Sequence, residues 1–456
     1  MRRTRGDVRF WDGFWDRFRS GYTEGLLVNF LVVLLVAIYF GVTSILPPLM
    51  FFAGLFVLGH LNPGKTGAVR DFVPTMALSA AILLLAFARS DFIDLMLHGR
   101  SLGQAYAQST RYFQAPILTW FTLWAVVFAA WDQREDRAER IARGLGWLVI
   151  GLACIQLADA ASGMGLRNWI NIQWFHGHRP ERVVVDGSDF NTVLLMLFWP
   201  LNFWFMRRSM VPVILMAAAI VWTAVVVDNN AQIIVLVASW IVFRAARAWP
   251  AVWSRRGILP ERVLAGLAAF WVMVFPALVL ATARGGYVPA LMEHLPPSWA
   301  ARVEIWSYTV NRALEKPLFG WGYEAARRFA PMIPDHPHNM SLQAWLELGI
   351  PGLLLVAAFW FAVFWGLAPQ NADVYEAPTD KALYSLDGTY DTGLFAAPPA
   401  VQLARPYMLA AASAYFLLNA VSYGAWKAWF IGVGALALVA GILVIRGVQS
   451  VDKFRI

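Results

Sequence analysis

The sequence predicts an all-α, polytopic integral membrane protein with about 12 transmembrane helices. Of the 456 residues, 59% are hydrophobic and only 14% are charged, against about 25% charged residues in an ordinary soluble domain. A soluble protein of this length cannot bury so much apolar surface. The composition also excludes disordered and collagen-like chains, and the single cysteine, Cys154, excludes an intrachain disulfide.

Twelve stretches are long and apolar enough to cross a bilayer as helices, which takes roughly 20 residues each. Their centres lie near Leu34, Leu55, Leu83, Ala125, Ile150, Phe198, Ile220, Leu236, Val272, Ala357, Phe416 and Leu438. Only Asp228, Asn229 and Asn230 separate the seventh span from the eighth. Merging those two would leave eleven spans and invert the orientation of everything downstream.

The distribution of Lys and Arg predicts the orientation. With a cytoplasmic N-terminus and twelve alternating spans, 24 of the 37 Lys and Arg residues fall on the cytoplasmic side and 13 fall outside. The positive-inside rule favours this arrangement. It also favours twelve spans over eleven, because the basic segment 244–262 then lies inside. We attribute the net charge of +8 to this orientation signal and expect no nucleic-acid partner.

The predicted topology divides the chain into segments. These are a cytoplasmic N-terminal segment (1–24), nine spans (25–282) with an outward loop (161–189), a long outward loop (283–339), three spans (340–446) with a cytoplasmic linker (367–401), and a cytoplasmic tail (447–456). Segment 1–24 carries six arginines and no small-residue cleavage site, so we expect an uncleaved anchor.

Nine of the 13 outward basic residues lie in the loops 161–189 and 283–339. They are Arg167, Arg179, Arg182, Arg284, Arg302, Arg312, Lys316, Arg327 and Arg328. Because outward loops normally avoid positive charge, this surplus indicates an anionic ligand. The alternative is that these are plain surface charges or side chains that reach lipid headgroups.

Five of the seven histidines lie in the same two loops: His176, His178, His294, His336 and His338. His338 opens the tenth span and titrates near neutral pH, so it is a candidate general base. It is equally suited to a place at the interface or to a helix cap, and His336 competes with it as the base. No set of carboxylates completes a metal site around these histidines, so we expect no metal.

A motif spans the start of the tenth helix. His338-Asn339, nine residues and then Gly349-Ile350-Pro351-Gly352 fit the pattern H-[NSQ]-x9-G-x-x-[GTY]. Upstream lie the runs 302–306 (RVEIW) and 317–322 (PLFGWG), and a weaker element runs from Arg182 to Asn191. Together these resemble O-antigen ligases and their relatives, the O-antigen polymerases and bacterial O-linked oligosaccharyltransferases.

The resemblance implies a GT-C-type, lipid-substrate glycosyltransferase of the bacterial inner membrane, with both termini cytoplasmic and the active site on the periplasmic side. It implies transfer of a glycan from undecaprenyl pyrophosphate to a hydroxyl of lipid A–core oligosaccharide, without a metal or other cofactor. His338 maps onto the family's base. Arg302 and Arg182 map onto the arginines that hold the pyrophosphate, with Arg179 as a competitor of Arg182.

Supporting roles are assigned to Asn339, Arg284, Trp306 and His336. We expect Asn339 either to orient His338 or to cap the helix, Gly349 and Gly352 to let the helix pack tightly on a neighbour, and Pro351 to kink it. Glu304 and Glu347 are expected to pair with arginines. Trp306, Trp321 and Trp299 flank the site and are candidates to stack on a sugar.

The chemistry favours an inverting reaction with no covalent intermediate. Three other readings remain open. The protein could be a polymerase of O-antigen or exopolysaccharide, it could glycosylate a protein acceptor from the same donor, or it could transport a lipid-linked glycan. A transporter would carry charged residues at mid-membrane, whereas most charges in this sequence fall at span ends.

Overall fold

The computed structural model describes residues 24–25, 27–29, 31–32, 35, 39, 68–90, 115–175, 180–206, 208–369 and 400–453. Within these ranges every regular element is a helix, as the sequence predicts. Several predictions fall outside them, namely the span near Leu55, Arg179 and most of segments 1–24 and 367–401.

Fourteen α-helices cover the described ranges. The first seven are α1 (Ala68–Ala88), α2 (Ala115–Trp131), α3 (Glu135–Ala161), α4 (Gly165–Phe175), α5 (Pro180–Met206), α6 (Val211–Val226) and α7 (Asn230–Arg247). The others are α8 (Ala251–Arg255), α9 (Pro260–Arg284), α10 (Val288–His294), α11 (Pro297–Glu315), α12 (Met340–Gly366), α13 (Ala400–Val421) and α14 (Ala428–Lys453). A short 3-10 helix at Ala325–Phe329 lies between α11 and α12.

Ten of the twelve predicted span centres lie inside helices, and the other two, Leu34 and Leu55, are outside the described residues. In the part of the chain that the structure describes, five helices are long and apolar enough to cross a membrane: α3, α7, α9, α12 and the part of α14 at Ala428–Val448. Two shorter apolar helices, Phe72–Ala88 and Val211–Val226, accompany them. The chain is a multi-pass membrane protein, and the count of twelve spans stays a prediction.

The boundary between the seventh and eighth predicted spans is a real break. Helix α6 ends at Val226 and α7 begins at Asn230. Asp228 between them has φ of 50°, a left-handed conformation that a helix interior does not tolerate. The seventh and eighth predicted spans are therefore two separate helices and not one merged helix.

The two long outward segments contain helices that the span analysis left undefined. Helix α4 and the start of α5 occupy the segment 161–189, and α10, α11 and the 3-10 helix occupy 283–339. Helices α4 and α10 and the 3-10 helix are too short to cross a bilayer, and α11 carries many polar residues. Helix α11 packs against α9 and α12, which brings the predicted loop 283–339 onto the end of the helix that follows it.

Two apolar clusters hold the helices together. In the larger one, Trp199 of α5 lies against Phe243 of α7, with ring centroids 5.0 Å apart, and Phe243 lies 4.6 Å from Tyr407 of α13. In the smaller one, Trp360 of α12 packs on Phe416 of α13 at 5.1 Å. The start of α12 therefore lies between α11 and the turn that joins α13 to α14.

Candidate functional site

Asn339 fixes the start of α12. Its side chain accepts a hydrogen bond from the backbone N–H of Leu342 at 2.9 Å and donates one to the carbonyl of Ala420 at 2.6 Å. The first bond caps the helix, and the second ties this end to α13. Of the two roles predicted for Asn339, the structure shows the cap.

His338 precedes this cap in a strained backbone conformation. Its φ is 56°, a left-handed value that is uncommon for a residue other than glycine. Its Nδ1 lies 2.7 Å from the carbonyl oxygen of Ser422. A carbonyl oxygen only accepts hydrogen bonds, so Nδ1 carries the proton and Nε2 keeps its lone pair. That tautomer can take a proton at Nε2.

The charge state of His338 follows from its surroundings. Burial lowers the pKa of His338, and the positive charges of Arg302 and Lys427 lower it further, against an opposing hydrogen bond to Ser422 and the nearby Asp335. The unperturbed pKa is about 6.5, so the ring is neutral near pH 7. A neutral imidazole with a free Nε2 is the form that a general base requires.

His336 is arranged differently. Its ring is buried and lies 4.3 Å from the ring of His338, and its Nδ1 accepts a hydrogen bond from the backbone N–H of His338 at 3.1 Å. Burial and nearby positive charges lower the pKa of His336 as well. This ring therefore holds the backbone turn on which His338 is presented.

Arg302 is a half-buried cation on α11. Its Nη1 donates to the carbonyl of Ser298 at 3.1 Å, and its guanidinium lies over the ring of Trp299, 5.1 Å from the centroid. Its Nε is buried and has no hydrogen-bond partner among the described residues. Arg302 also takes part in none of the ion pairs found in the described part of the chain. An unpaired buried donor beside His338 is suited to an anion that is not part of the protein.

Arg182 lies in the first turns of α5, half exposed, with its Nε 3.7 Å from Asp186. The described contacts do not join it directly to His338 or Arg302. Its charge and that of Lys427 both act on Asp189, so this end of α5 adjoins the turn after α13. Arg284 is exposed in the last turn of α9.

The turn between α13 and α14, residues 422–427, forms one wall of the site, and the sequence analysis passed over it. Besides holding His338 through Ser422, it contacts three other side chains near the start of α12. Ala425 N donates to Gln343 at 2.9 Å, Trp426 Nε1 donates to Glu347 at 2.7 Å, and Lys427 Nζ lies 3.0 Å from Asp335. The only sequence signal was a lysine in a short outward turn.

Tyr423 of the same turn connects it to α5. Its hydroxyl lies 2.6 Å from the hydroxyl of Thr192. The side-chain amide of Gln232 donates to Thr192 at 2.8 Å. A buried polar network thus fixes the position of the turn relative to α5 and α7.

Gly349 interrupts α12, with φ of 70° and ψ of −163°. The run 317–322 lies against this break. The N–H groups of Trp321 and Gly322 donate to the carbonyls of Leu346 and Glu347 at 2.8 and 2.9 Å. The break therefore leaves these two carbonyls with partners, as a spanning helix requires. The kink expected from Pro351 is present, with its non-helical residue at Gly349, two residues before the proline. Pro351 has no N–H to give to the carbonyl of Glu347, and the loop 317–322 supplies that donor.

One further expectation about the flanking residues needs correction, the pairing of Glu347 with an arginine. Glu347 is fully buried and accepts hydrogen bonds from Trp426, Gln343 and the backbone of Glu324. Its partners in the described residues are therefore neutral donors and not an arginine. Trp306 donates from Nε1 to the carbonyl of Pro337 at 2.9 Å, so it holds the segment that leads to His338.

Among the described residues, no group of three or more His, Cys, Asp and Glu side chains is arranged to hold a metal ion. The charged groups that act on His338 are instead the cations Arg302 and Lys427 and the carboxylate of Asp335. Asp335 joins Lys427 to a further cation, Arg327, because it pairs with both. The arrangement is that of a helical membrane protein with a group of cations beside a neutral imidazole.

Comparison with known proteins agrees with this class. Residues 213–357 match the family model described as O-antigen ligase. This stretch includes Arg302, His338 and the glycine motif, but neither Arg182 nor the turn 422–427. It places this part of the chain in the O-antigen ligase superfamily and confirms the resemblance seen in the sequence.

Three similar proteins carry the name "Putative polysaccharide ligase". The protein of Rickettsia conorii is 25% identical over 172 residues, which is 34% of each chain. Those of Rickettsia felis and Rickettsia typhi are 26% identical over 172 and 171 residues, covering 34% of this chain and 35% of theirs. The chain thus spans about a third of the length of the curated relatives it matches.

Proposed function

We propose that the protein is a glycosyltransferase that moves a glycan from undecaprenyl pyrophosphate to a hydroxyl of lipid A–core oligosaccharide. The reaction takes place at the periplasmic face of the bacterial inner membrane, and both chain termini lie in the cytoplasm. The observation that carries the proposal is the position of Arg302 near His338, whose pKa its charge lowers. The buried Nε of Arg302 has no partner among the described residues, and the imidazole donates from Nδ1 to Ser422, which leaves the lone pair on Nε2.

In the proposed reaction, the acceptor hydroxyl gives its proton to Nε2 of His338 as its oxygen attacks the anomeric carbon. The bond from that carbon to the pyrophosphate oxygen breaks, and the pyrophosphate leaves with the bonding electrons. A diphosphate is a weak base and needs stabilisation of charge more than it needs a proton. Arg302 supplies this with fixed donors and a charge that does not titrate away.

One direct displacement inverts the configuration of the anomeric carbon. No covalent enzyme intermediate forms, and no metal or other cofactor takes part. Arg182 is proposed as a second contact to the pyrophosphate, because its pairing with Asp186 is long, at 3.7 Å, and its side chain is half exposed. Asp186 is buried, but a pair this long, with a half-exposed guanidinium, leaves Arg182 available to a ligand.

The test is a transfer assay with purified protein, an undecaprenyl-pyrophosphate-linked glycan and lipid A–core, in the presence of EDTA. A glycan joined to core oligosaccharide supports the proposal. Growth of a polymer without core would identify a polymerase, and a requirement for added metal would contradict the site. The anomeric configuration of the product, compared with that of the donor, tests inversion.

The residue assignment is tested with His338→Asn. Asparagine tolerates the left-handed backbone that His338 adopts, so the turn is kept while the base is removed. Loss of a general base lowers the rate by about 10²–10⁴. If His338→Asn transfers glycan at the rate of the parent protein, then His338 is not the base.

A further inference from the structure

Lys427 stands at the end of the turn 422–427, immediately before α14. Its ammonium lies 3.0 Å from Oδ2 of Asp335, and Arg327 holds the other oxygen of the same carboxylate. Asp335 lies three residues before His338, and Ser422, at the other end of the turn, binds the ring of His338. The ammonium of Lys427 therefore lies on the same part of the surface as the imidazole of His338.

The pair between Lys427 and Asp335 is exposed. The two side chains keep 31% and 35% of their surface open to solvent. Ion pairs as open as this contribute little to stability. The pair of Arg405 with Glu261 is a contrasting case, with only 13% and 2% exposed. The protein thus has a buried ion pair that joins two helices and an open one beside His338.

Donor counting shows that Lys427 keeps free capacity. An ammonium has three N–H donors, and the described contacts use one of them on Asp335. The carboxylate of Asp335 is shared with Arg327, which also pairs with Glu324. The described ion-pair group thus holds two cations, Arg327 and Lys427, and two carboxylates, and Arg302, which also acts on His338, adds a third cation.

Besides Glu347, whose buried carboxylate accepts the hydrogen bond of Trp426, Asp189 is another carboxylate near this turn. The side chain of Asp189 is half buried near the start of α5, and the charges of Lys427 and Arg182 act on this carboxylate. Burial raises the pKa of Asp189 to about 7, so it carries only part of a negative charge near neutral pH. Asp189 therefore does not cancel the surplus of positive charge around the turn 422–427.

We propose that Lys427 is a further contact to the diphosphate group of the lipid-linked donor, reaching it from the turn 422–427 while Arg302 reaches it from α11. This inference rests on the proposed function, because that function supplies the diphosphate. In the absence of donor, Asp335 holds the ammonium in place. When donor binds, the two remaining N–H groups of Lys427 bind phosphate oxygens.

The experiment measures binding and transfer separately. The dissociation constant for undecaprenyl pyrophosphate is measured on purified full-length protein for the parent, Lys427→Met, Lys427→Arg and Asp335→Asn. Lys316→Met is the matched control, because Lys316 is exposed and its ammonium lies over the ring of Trp321. Glycan transfer is assayed on the same preparations, and the thermal midpoint of each reports its folding.

We expect Lys427→Met to weaken binding of undecaprenyl pyrophosphate about 10- to 100-fold, because the variant loses a hydrogen bond to a charged group. Lys427→Arg keeps most of the affinity because it keeps the cation, and Lys316→Met binds as the parent does. Asp335→Asn binds as tightly as the parent or more tightly, since it removes a competing anion. Should Lys427→Met not fold, Lys427→Arg and Asp335→Asn carry the comparison.

Two results overturn the inference. One is equal binding by the parent and Lys427→Met, and the other is an Asp335→Asn variant that loses as much affinity as Lys427→Met, since the pair would then be purely structural. Parent protein that binds the lipid through Lys427 but transfers no glycan would refute the proposed function alone. Normal transfer with unchanged binding in Lys427→Met would refute only the role of Lys427.

Discussion

Two arginines of this protein are expected to respond in opposite ways to the same substitution. Arg302 has a buried Nε without a partner and no carboxylate in the described contacts. Arg405 of α13 lies 2.6 Å from Glu261 of α9 in a pair that is almost fully buried. Methionine keeps the length of either side chain and removes its charge, so Arg302→Met and Arg405→Met form a matched pair.

The magnitudes follow from these contacts. Arg302→Met breaks no ion pair and removes an unsatisfied buried donor, so the free energy of unfolding stays within about 1 kcal/mol of the parent. Its transfer rate falls about 10²–10³, as for loss of one donor that stabilises developing charge. Arg405→Met leaves Glu261 buried without its partner, which costs about 3–5 kcal/mol. The thermal midpoint then falls by about 3–5 °C, because the entropy of unfolding grows with chain length.

The assay combines thermal unfolding of the purified proteins in detergent with glycan transfer at saturating acceptor. Arg302→Lys is the third variant, because lysine keeps the charge but loses the fork of donors. We expect it to transfer poorly. If Arg302→Met unfolds as early as Arg405→Met, then Arg302 is a structural residue and the reasoning fails. If Arg302→Lys transfers as well as the parent, then Arg302 supplies only a diffuse positive charge.

Three other predictions concern the start and the break of α12. Burial and the charges of Arg302 and Lys427 lower the pKa of His338, and a general base must be neutral. Glycan transfer therefore persists at neutral pH and is lost only as the pH falls below about 6.5. A pH–rate profile measures this. His336→Ala keeps part of its transfer activity, whereas His338→Asn does not, because His336 contributes an acceptor to the turn and not the base. Gly349→Ala lowers the thermal midpoint, because φ is 70° there and such strain costs about 1–3 kcal/mol.

The controls for these predictions come from the same chain. Gly366→Ala, at the other end of α12, places its Cβ in open space, so it should leave the thermal midpoint unchanged while Gly349→Ala lowers it. A Cβ at Gly349 would overlap the backbone of Leu318. If the loss of transfer at low pH occurs at the same pH in a variant without His338, then a group other than His338 titrates there. Loss of transfer in His336→Ala as complete as in His338→Asn would reopen the choice of base.

Some of the site could be predicted from the sequence because it lies in short continuous motifs. The run from Arg302 to Trp306 and the motif from His338 to Gly352 are local patterns, and the structure places both at the start of α12. The kink could be predicted from Pro351, which has no N–H for the carbonyl four residues before it. The sequence did not show that the non-helical residue is Gly349, or that the loop 317–322 gives N–H groups to the carbonyls that the break releases.

The turn 422–427 could not be predicted, because its contacts join residues about 80 positions apart. Nothing near Ser422 in the sequence marks its carbonyl as the partner of His338. The same holds for Asp335 and Lys427, which are separated by α12 and α13. Such pairs become visible only when the helices between them are packed.

The sequence by itself determined that this chain enters a membrane, where most of its helices lie and which histidine belongs to a family motif. Those properties depend on apolar stretches and local spacing, and lipid leaves a spanning segment of this composition only the helix. Tertiary structure alone decided the tautomer of His338, the unpaired state of Arg302 and the place of Lys427. Each of these depends on which carbonyl or carboxylate lies within about 3 Å of a polar atom, and packing of distant helices sets that distance.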